Sequence, residues 1–187
     1  MTYILSNPYN VYALSLILFA FFSGYAAFRV FLFSEKNISE NEKLPRSLAL
    51  GVPLAFCDLI WCIPHSQPLL PEHLHIYLFP TAIVCTFLAW AFLDYLFSRA
   101  LGGFFILLAY YFLHESFTFR TPAAPLLAIF SFAIGITGIF FAGKPYLMRD
   151  FIRKASSDKK WKRSICAFFT AFSLLALVLG ILHFLRK

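Results

Sequence analysis

From Val11 to Phe33 the chain carries a single charge, Arg29, and that stretch limits the fold more than any motif could. About 20 apolar residues are what a helix needs to cross the roughly 30 Å hydrocarbon layer of a bilayer. Five more such runs follow, at Leu48–Ile63, Ile76–Phe97, Ala100–Leu113, Ala123–Ala142 and Ile165–Leu185. Lipid offers no water to a backbone N–H or C=O, so each run has to satisfy its own hydrogen bonds, which a helix does. The expected fold is therefore all-α: a polytopic integral membrane helix bundle of about six transmembrane helices, one domain over residues 1–187. Two runs are short. The second contains Pro53 and ends at Pro64, and the fourth follows the third through a turn expected at Ser98–Gly103.

Composition supports lipid as the solvent. Sixty per cent of the residues are hydrophobic and 13% charged, against about 45–50% and 25% in a soluble domain, so one aqueous core could not hide the apolar surface. The net charge of +7 would suggest nucleic acid in a soluble protein, but here the basic residues cluster in a few loops. With six spans, 13 of the 16 Lys and Arg fall on one side, in Arg29–Arg46, at Arg99 and in Lys144–Arg163; Arg120, Arg186 and Lys187 fall on the other. The positive-inside rule puts the basic side in the cytoplasm, which leaves both termini non-cytoplasmic. Dropping one short span would separate the two basic loops. The first span is expected to stay uncleaved, because no basic segment precedes it. Chain size and short loops suit a cell membrane, specifically a bacterial inner membrane.

Tyr3, Tyr9, Tyr12, Trp61, Tyr77, Tyr110 and Tyr111 fall near the outer ends of spans, and Tyr95, Tyr146 and Trp161 near the inner ends, the distribution expected of interfacial belts. Small residues mark where backbones can approach. Ser131, Gly135, Gly138 and Ala142 make one stripe on the fifth span, and Ala20, Gly24 and Ala27 a shorter one on the first; packing within the chain is favoured over a dimer seam. The cysteines, Cys57, Cys62, Cys85 and Cys166, form no disulfide framework and no C-x-x-C pair.

Asp58 is the one acid well inside a span. A carboxylate there is costly and is retained opposite a partner, a water-filled cavity or the bundle interior. It is a candidate proton or ion site, and the plainer alternative is an acid hydrogen-bonded to a neighbour. It is expected in the outer half of the second span, two turns before His65 and on the same face. His65, His73, His75, His114 and His183 all fall at outer ends, with Glu72 and Glu115 beside three of them. Imidazole with carboxylate suits a transition metal, and histidines at one face could ligate haem, although no H-x-x-x-H or H-E-x-x-H spacing occurs. Asp94 and Arg99 read as a structural ion pair or a capped hairpin.

Lys144–Arg163 is the most distinctive polar stretch. After Pro145 a helix would put Leu147, Met148, Phe151 and Ile152 on one face and Arg149, Asp150, Arg153 and Lys154 on the other, followed by Lys159, Lys160, Lys162 and Arg163. With Lys144, these cations would contact anionic headgroups or an acidic partner. No Walker loop, dinucleotide fingerprint, nucleophile elbow or zinc-protease helix is present. The sequence favours a noncatalytic accessory or structural subunit of a membrane complex. The alternatives are a small transporter or channel using Asp58, and a metal- or haem-binding membrane protein using the outer histidines. No cofactor is firmly implied. The expected partners are the bilayer, anionic headgroups and a membrane protein or second copy, with no nucleic acid.

Overall fold

The computed structural model describes residues 8–33, 38–121 and 123–185. Tyr3, Arg186, Lys187 and the side chain of Tyr9 lie outside the described residues. Among those described there is no strand. The helices are α1 (Pro8–Phe31), α2 (Leu48–Ser66), α3 (His75–Phe92), α4 (Leu96–Thr118), α5 (Ala124–Gly143), α6 (Tyr146–Ser157) and α7 (Lys159–Leu185), with one helical turn at Ile38–Asn41. All but α6 and that turn are long and apolar enough to cross a membrane, six in all. The chain is an all-α, multi-pass membrane protein.

The fourth span is longer than its hydropathy implies. Leu93 is extended (ψ 120°), ending α3, and Tyr95 takes a left-handed φ of 57°, so the chain reverses at Asp94–Tyr95 and Ser98–Gly103 lies inside α4. Apolar residues continue across the reversal, which is why the run to Phe97 looked like one segment. In α2 both Pro53 and Pro64 are accommodated within the helix, whose first turn is capped by Ser47 Oγ accepting from Leu50 N at 3.4 Å.

The described residues divide into two compact units. One draws on Met1–Ile38, Tyr111–Phe132 and Ile152–Lys187. Its spine is the antiparallel pair α1 and α7, held by polar side chains that reach across to the other helix's carbonyls. Ser23 Oγ donates to Phe169 O (2.9 Å), Ser173 Oγ to Ala20 O (2.7 Å), Cys166 Sγ to Ala27 O (3.6 Å) and Lys162 Nζ to Phe33 O (3.1 Å). In a membrane, where apolar surface alone gives helices little reason to pair, such contacts and close packing drive association. The Ala20–Gly24–Ala27 stripe is part of this seam, as Gly24 faces Ser173 Oγ. Phe19, Phe112 and Phe172 fill the centre, with Phe19 meeting each of the others edge-on at 5.2 Å.

The second unit draws on Ser39–Tyr110 and Ala133–Phe151. Here α4 and α5 are antiparallel and nearly touch backbone to backbone. A Cβ added at Gly138 would lie 2.6 Å from Gly102 O, and one at Gly135 would lie 3.1 Å from Ala109 Cβ. The stripe on the fifth span is thus an intramolecular seam at Gly135, Gly138 and Ala142. Ser98 Oγ reaches Phe141 O and Pro145 O (3.3 Å each), and Arg99 Nη1 donates to Ala142 O at 3.1 Å. Arg99 Nε donates to the backbone O of Asp94, not to its carboxylate, so the capped hairpin is what the residues form. The remaining helix, α3, packs on α2 through Phe56 and Phe79.

Candidate functional site

In the second unit α2 and α4 run parallel with a constant offset. Gly51 abuts Leu96 and Phe97, Asp58 faces Gly103, Trp61 meets Phe104 (6.0 Å), and His65 meets Tyr110 edge-on (5.4 Å). Gly51, Asp58 and His65 are seven residues apart, as are Leu96, Gly103 and Tyr110. A repeat of seven keeps one face of each helix on its neighbour, so Asp58 and His65 share a face, as their spacing implied. At 1.5 Å per residue, Asp58 lies about 15 Å from the start of α2 and about 12 Å from its end, just past the middle.

The Asp58 side of this seam is closed off. Asp58 is 8% exposed, and a Cβ on Gly103 would come within 3.2 Å of its Oδ2. Its Oδ1 is buried with no hydrogen-bond partner among the described residues. Carrying such a group at the centre of a membrane helix costs about 3 kcal/mol, more than a typical hydrogen bond of about 1 kcal/mol would recover. The acid is turned away from the protein surface, and among the described residues no hydroxyl or carbonyl satisfies its Oδ1. Sequence pattern alone did not identify Gly103; the repeat of seven shared by α2 and α4 is the signal that points to it.

The outer histidines are dispersed. His65 is exposed beside Tyr110, and His73 and Glu72 are exposed. His75 Nε2 bonds to Gln67 O (2.9 Å) and Leu70 O (3.1 Å), which closes the α2–α3 loop. In the first unit His114 is exposed and Glu115 half-buried, whereas His183 is 1% exposed and meets the Tyr12 ring edge-on at 5.1 Å. Among the described residues no three His, Cys, Asp or Glu side chains group closely enough to hold a metal ion. Tyr12, near the start of α1, faces the protein interior and not its surface. It is fully buried, with its hydroxyl accepting from Thr121 Oγ1 at 3.3 Å and its ring against Phe119 and His183. Tyr77, Tyr110, Tyr146 and Trp161 do lie outward.

No known family, characterised protein or solved structure matches this chain.

The basic segment divides into a helix and the start of a span. In α6, Met148, Ile152 and Ala155 are buried and Phe151 packs on Phe141 (6.0 Å), so the protein itself covers the apolar face expected to lie on lipid. Lys144, Arg153 and Lys154 are exposed and Arg149 half-buried, Arg149 lying 3.4 Å from Asp150. Lys159, Lys160, Lys162 and Arg163 belong to the first turns of α7, whose start Asp158 caps by accepting from Lys160 N (2.8 Å) and Trp161 N (3.3 Å). Lys154 Nζ stands 4.4 Å above the Trp161 ring. Lys162 is committed to the end of α1, while Lys159, Lys160 and Arg163 face outward.

Proposed function

We propose that this chain is a small membrane transporter or channel in which Asp58 takes up and releases a proton or a cation. What carries the reading is the Asp58 carboxylate itself, buried near mid-span opposite Gly103 with its Oδ1 unpartnered. A membrane protein gains no stability from such a group, and ionisable residues inside spans are retained where they serve conduction or proton transfer. By the positive-inside rule the Arg46 and α6 side is cytoplasmic and both termini are outside. A cell membrane, in particular a bacterial inner membrane, is the setting that suits the short loops.

The test is ion flux across liposomes containing the purified protein, with a proton-sensitive and a sodium- or potassium-sensitive dye. Wild type should dissipate one of the imposed gradients, and Asp58→Asn, nearly identical in shape, should lose at least about tenfold of that rate, as removal of an essential group would. Equal flux in wild type and variant, or none in either, refutes the proposal.

A second reading, the noncatalytic accessory subunit, is favoured by α3. Only 11% of its apolar window is buried, and its packing is on α2 and the adjoining loop, which leaves a lateral face for a partner in the membrane. Stoichiometric co-purification of one chain from the native host in mild detergent, weakened by Phe87→Ser and Ile83→Ser, would support it.

A further inference from the structure

At the basic end of the second unit, two cavities share one residue, Arg46. One, of about 400 Å³, is lined by Ser39, Glu42, Lys43, Arg46 and Arg149. Three cations and one acid line it, and Asp150, 3.4 Å from Arg149, offsets part of that charge from outside the lining, so the cavity keeps a positive balance that suits a bound anion. The other, of about 430 Å³, is lined by Arg46, Leu48 and the segment from Trp90 to Leu96. Its lining is mixed: Arg46, Asp94, Tyr95 and backbone polar atoms make up more of its surface than carbon does, while the apolar side chains of Leu48, Trp90 and Phe92 beside them stand 48, 49 and 80% exposed.

The chain around Arg46 holds it in place. Arg46 lies two residues before α2, and Tyr95 lies in the reversal between α3 and α4, so both are at one membrane boundary. The left-handed backbone at Tyr95 turns its ring under Arg46, whose guanidinium carbon lies 4.5 Å from the ring centroid while its Nη2 donates to the Tyr95 hydroxyl. A guanidinium has five N–H donors in a rigid fork, so this contact orients the group and leaves donors for an anionic oxygen. Arg149 adds a second guanidinium whose Nε is buried without a hydrogen-bond partner among the described residues. Planar guanidinium forks suit phosphate oxygens, and basic pockets between membrane helices on this face recognise phosphate headgroups.

We propose that these cavities form one binding site for an anionic phospholipid, its headgroup phosphate among Lys43, Arg46 and Arg149 and its glycerol and upper acyl chain along Leu48, Trp90 and Phe92. A free phosphate would use only the cationic cavity, and a neutral lipid only the exposed Leu48, Trp90 and Phe92 side chains of the other. An amphipathic anion uses both, and Arg46 stands where its polar and apolar parts meet. The site lies apart from Asp58, which sits about 15 Å along α2 from its first residue.

The experiment uses the full chain in vesicles of mixed phosphatidylcholine and phosphatidylglycerol, extracted in mild detergent, with retained lipid counted by native mass spectrometry. Wild type should keep phosphatidylglycerol in preference to phosphatidylcholine. Each of Lys43→Gln, Arg46→Gln and Arg149→Gln should lower that preference about fivefold, the value of one basic residue near such a headgroup. If loss of the Tyr95 contact stops Arg46→Gln from folding, the Lys43→Gln/Arg149→Gln pair, which keeps that contact, carries the test. An unchanged lipid preference in the pair overturns the proposal. Trp90→Ala should weaken retention of the lipid. Displacement of the lipid by inorganic phosphate at matched concentration would identify a free-anion site and overturn the lipid assignment.

Discussion

The backbone contact between α4 and α5 can be tested with single methyl groups. At Gly138 an added Cβ would lie 2.6 Å from Gly102 O, 2.9 Å from Phe105 Cβ and 3.1 Å from Ile106 Cγ1. The nearest obstacle is a carbonyl in the middle of a helix, which cannot rotate away, so Gly138→Ala has to push the helices apart by something under about 1 Å, losing dispersion contacts along the seam. Overpacking of this kind costs about 1–3 kcal/mol, and a cost of about 2 kcal/mol corresponds to about a 30-fold fall in the folding equilibrium constant. Gly143→Ala is the matched control, because nothing lies within 4 Å of its Cβ position; the better helix propensity of Ala makes it neutral or favourable by up to about 1 kcal/mol. Gly102→Ala enters the same gap from the other side, 2.6 Å from both Ala142 N and Gly138 O, so the double variant should cost less than the sum of the singles. The assay is unfolding in mixed micelles of dodecyl maltoside and sodium dodecyl sulfate, followed by far-UV circular dichroism. If Gly138→Ala and Gly143→Ala unfold at the same detergent fraction, the close approach of α4 and α5 is wrong.

Two further outcomes follow from the fold. Ser23→Ala and Ser173→Ala each remove one bond across the α1–α7 seam and should each cost about 0.6 kcal/mol and no more than about 1.7 kcal/mol in the same assay, the range of interhelical hydrogen bonds in membranes; no loss in either variant would remove these bonds as part of what joins the helices. For sidedness, cysteines at the exposed positions Ser39, Ser157 and Gln67, in a background without native cysteines, should react with an impermeant thiol reagent in opposite senses. Gln67 should label in intact cells and the other two only after permeabilisation, and same-side labelling of Gln67 and Ser157 would refute the six-span arrangement.

The number of spans and the seams they use are legible in the sequence because each is a local property. Transfer of apolar residues to lipid is summed along one segment, and the stripes at Ala20–Ala27 and Gly135–Ala142 repeat along one helix. The misplaced boundary at Leu93–Tyr95 has a different origin. Hydropathy registers what a residue prefers to touch, and it does not change where the backbone reverses between Leu93 and Leu96, both apolar. The amphipathic pattern of α6 was also legible, but not what covers its apolar face, since Met148 and Ile152 could face lipid or protein equally well by pattern. The burial of Tyr12 and the second carbonyl held by Arg99 left no local mark for a related reason: each finds its partner, Thr121 for one and Ala142 O for the other, more than 40 residues away in sequence. The pocket at Lys43 and Arg46 left no local mark, as its walls come from α2's approach, the α3–α4 reversal and α6.

The α2–α4 seam separates what stability needs from what it does not. Of the three α2 positions in the repeat, Gly51 is occupied as close packing requires, since a Cβ there would lie 2.8 Å from Phe97 N. His65, near the end of α2, is exposed and meets Tyr110 edge-on, and a polar side chain costs little at the end of a span. Asp58 is the exception, because an apolar residue of its size would pack against Gly103 equally well and avoid the cost of about 3 kcal/mol. Gly103 compounds the cost by adding no side chain that could hydrogen-bond the carboxylate, and a Cβ there would crowd Oδ2 at 3.2 Å. Neither residue is the choice that packing would make by itself. Together they leave a carboxylate packed against a bare backbone near the middle of a membrane helix, which is why Asp58→Asn is the substitution that tests the proposed ion site.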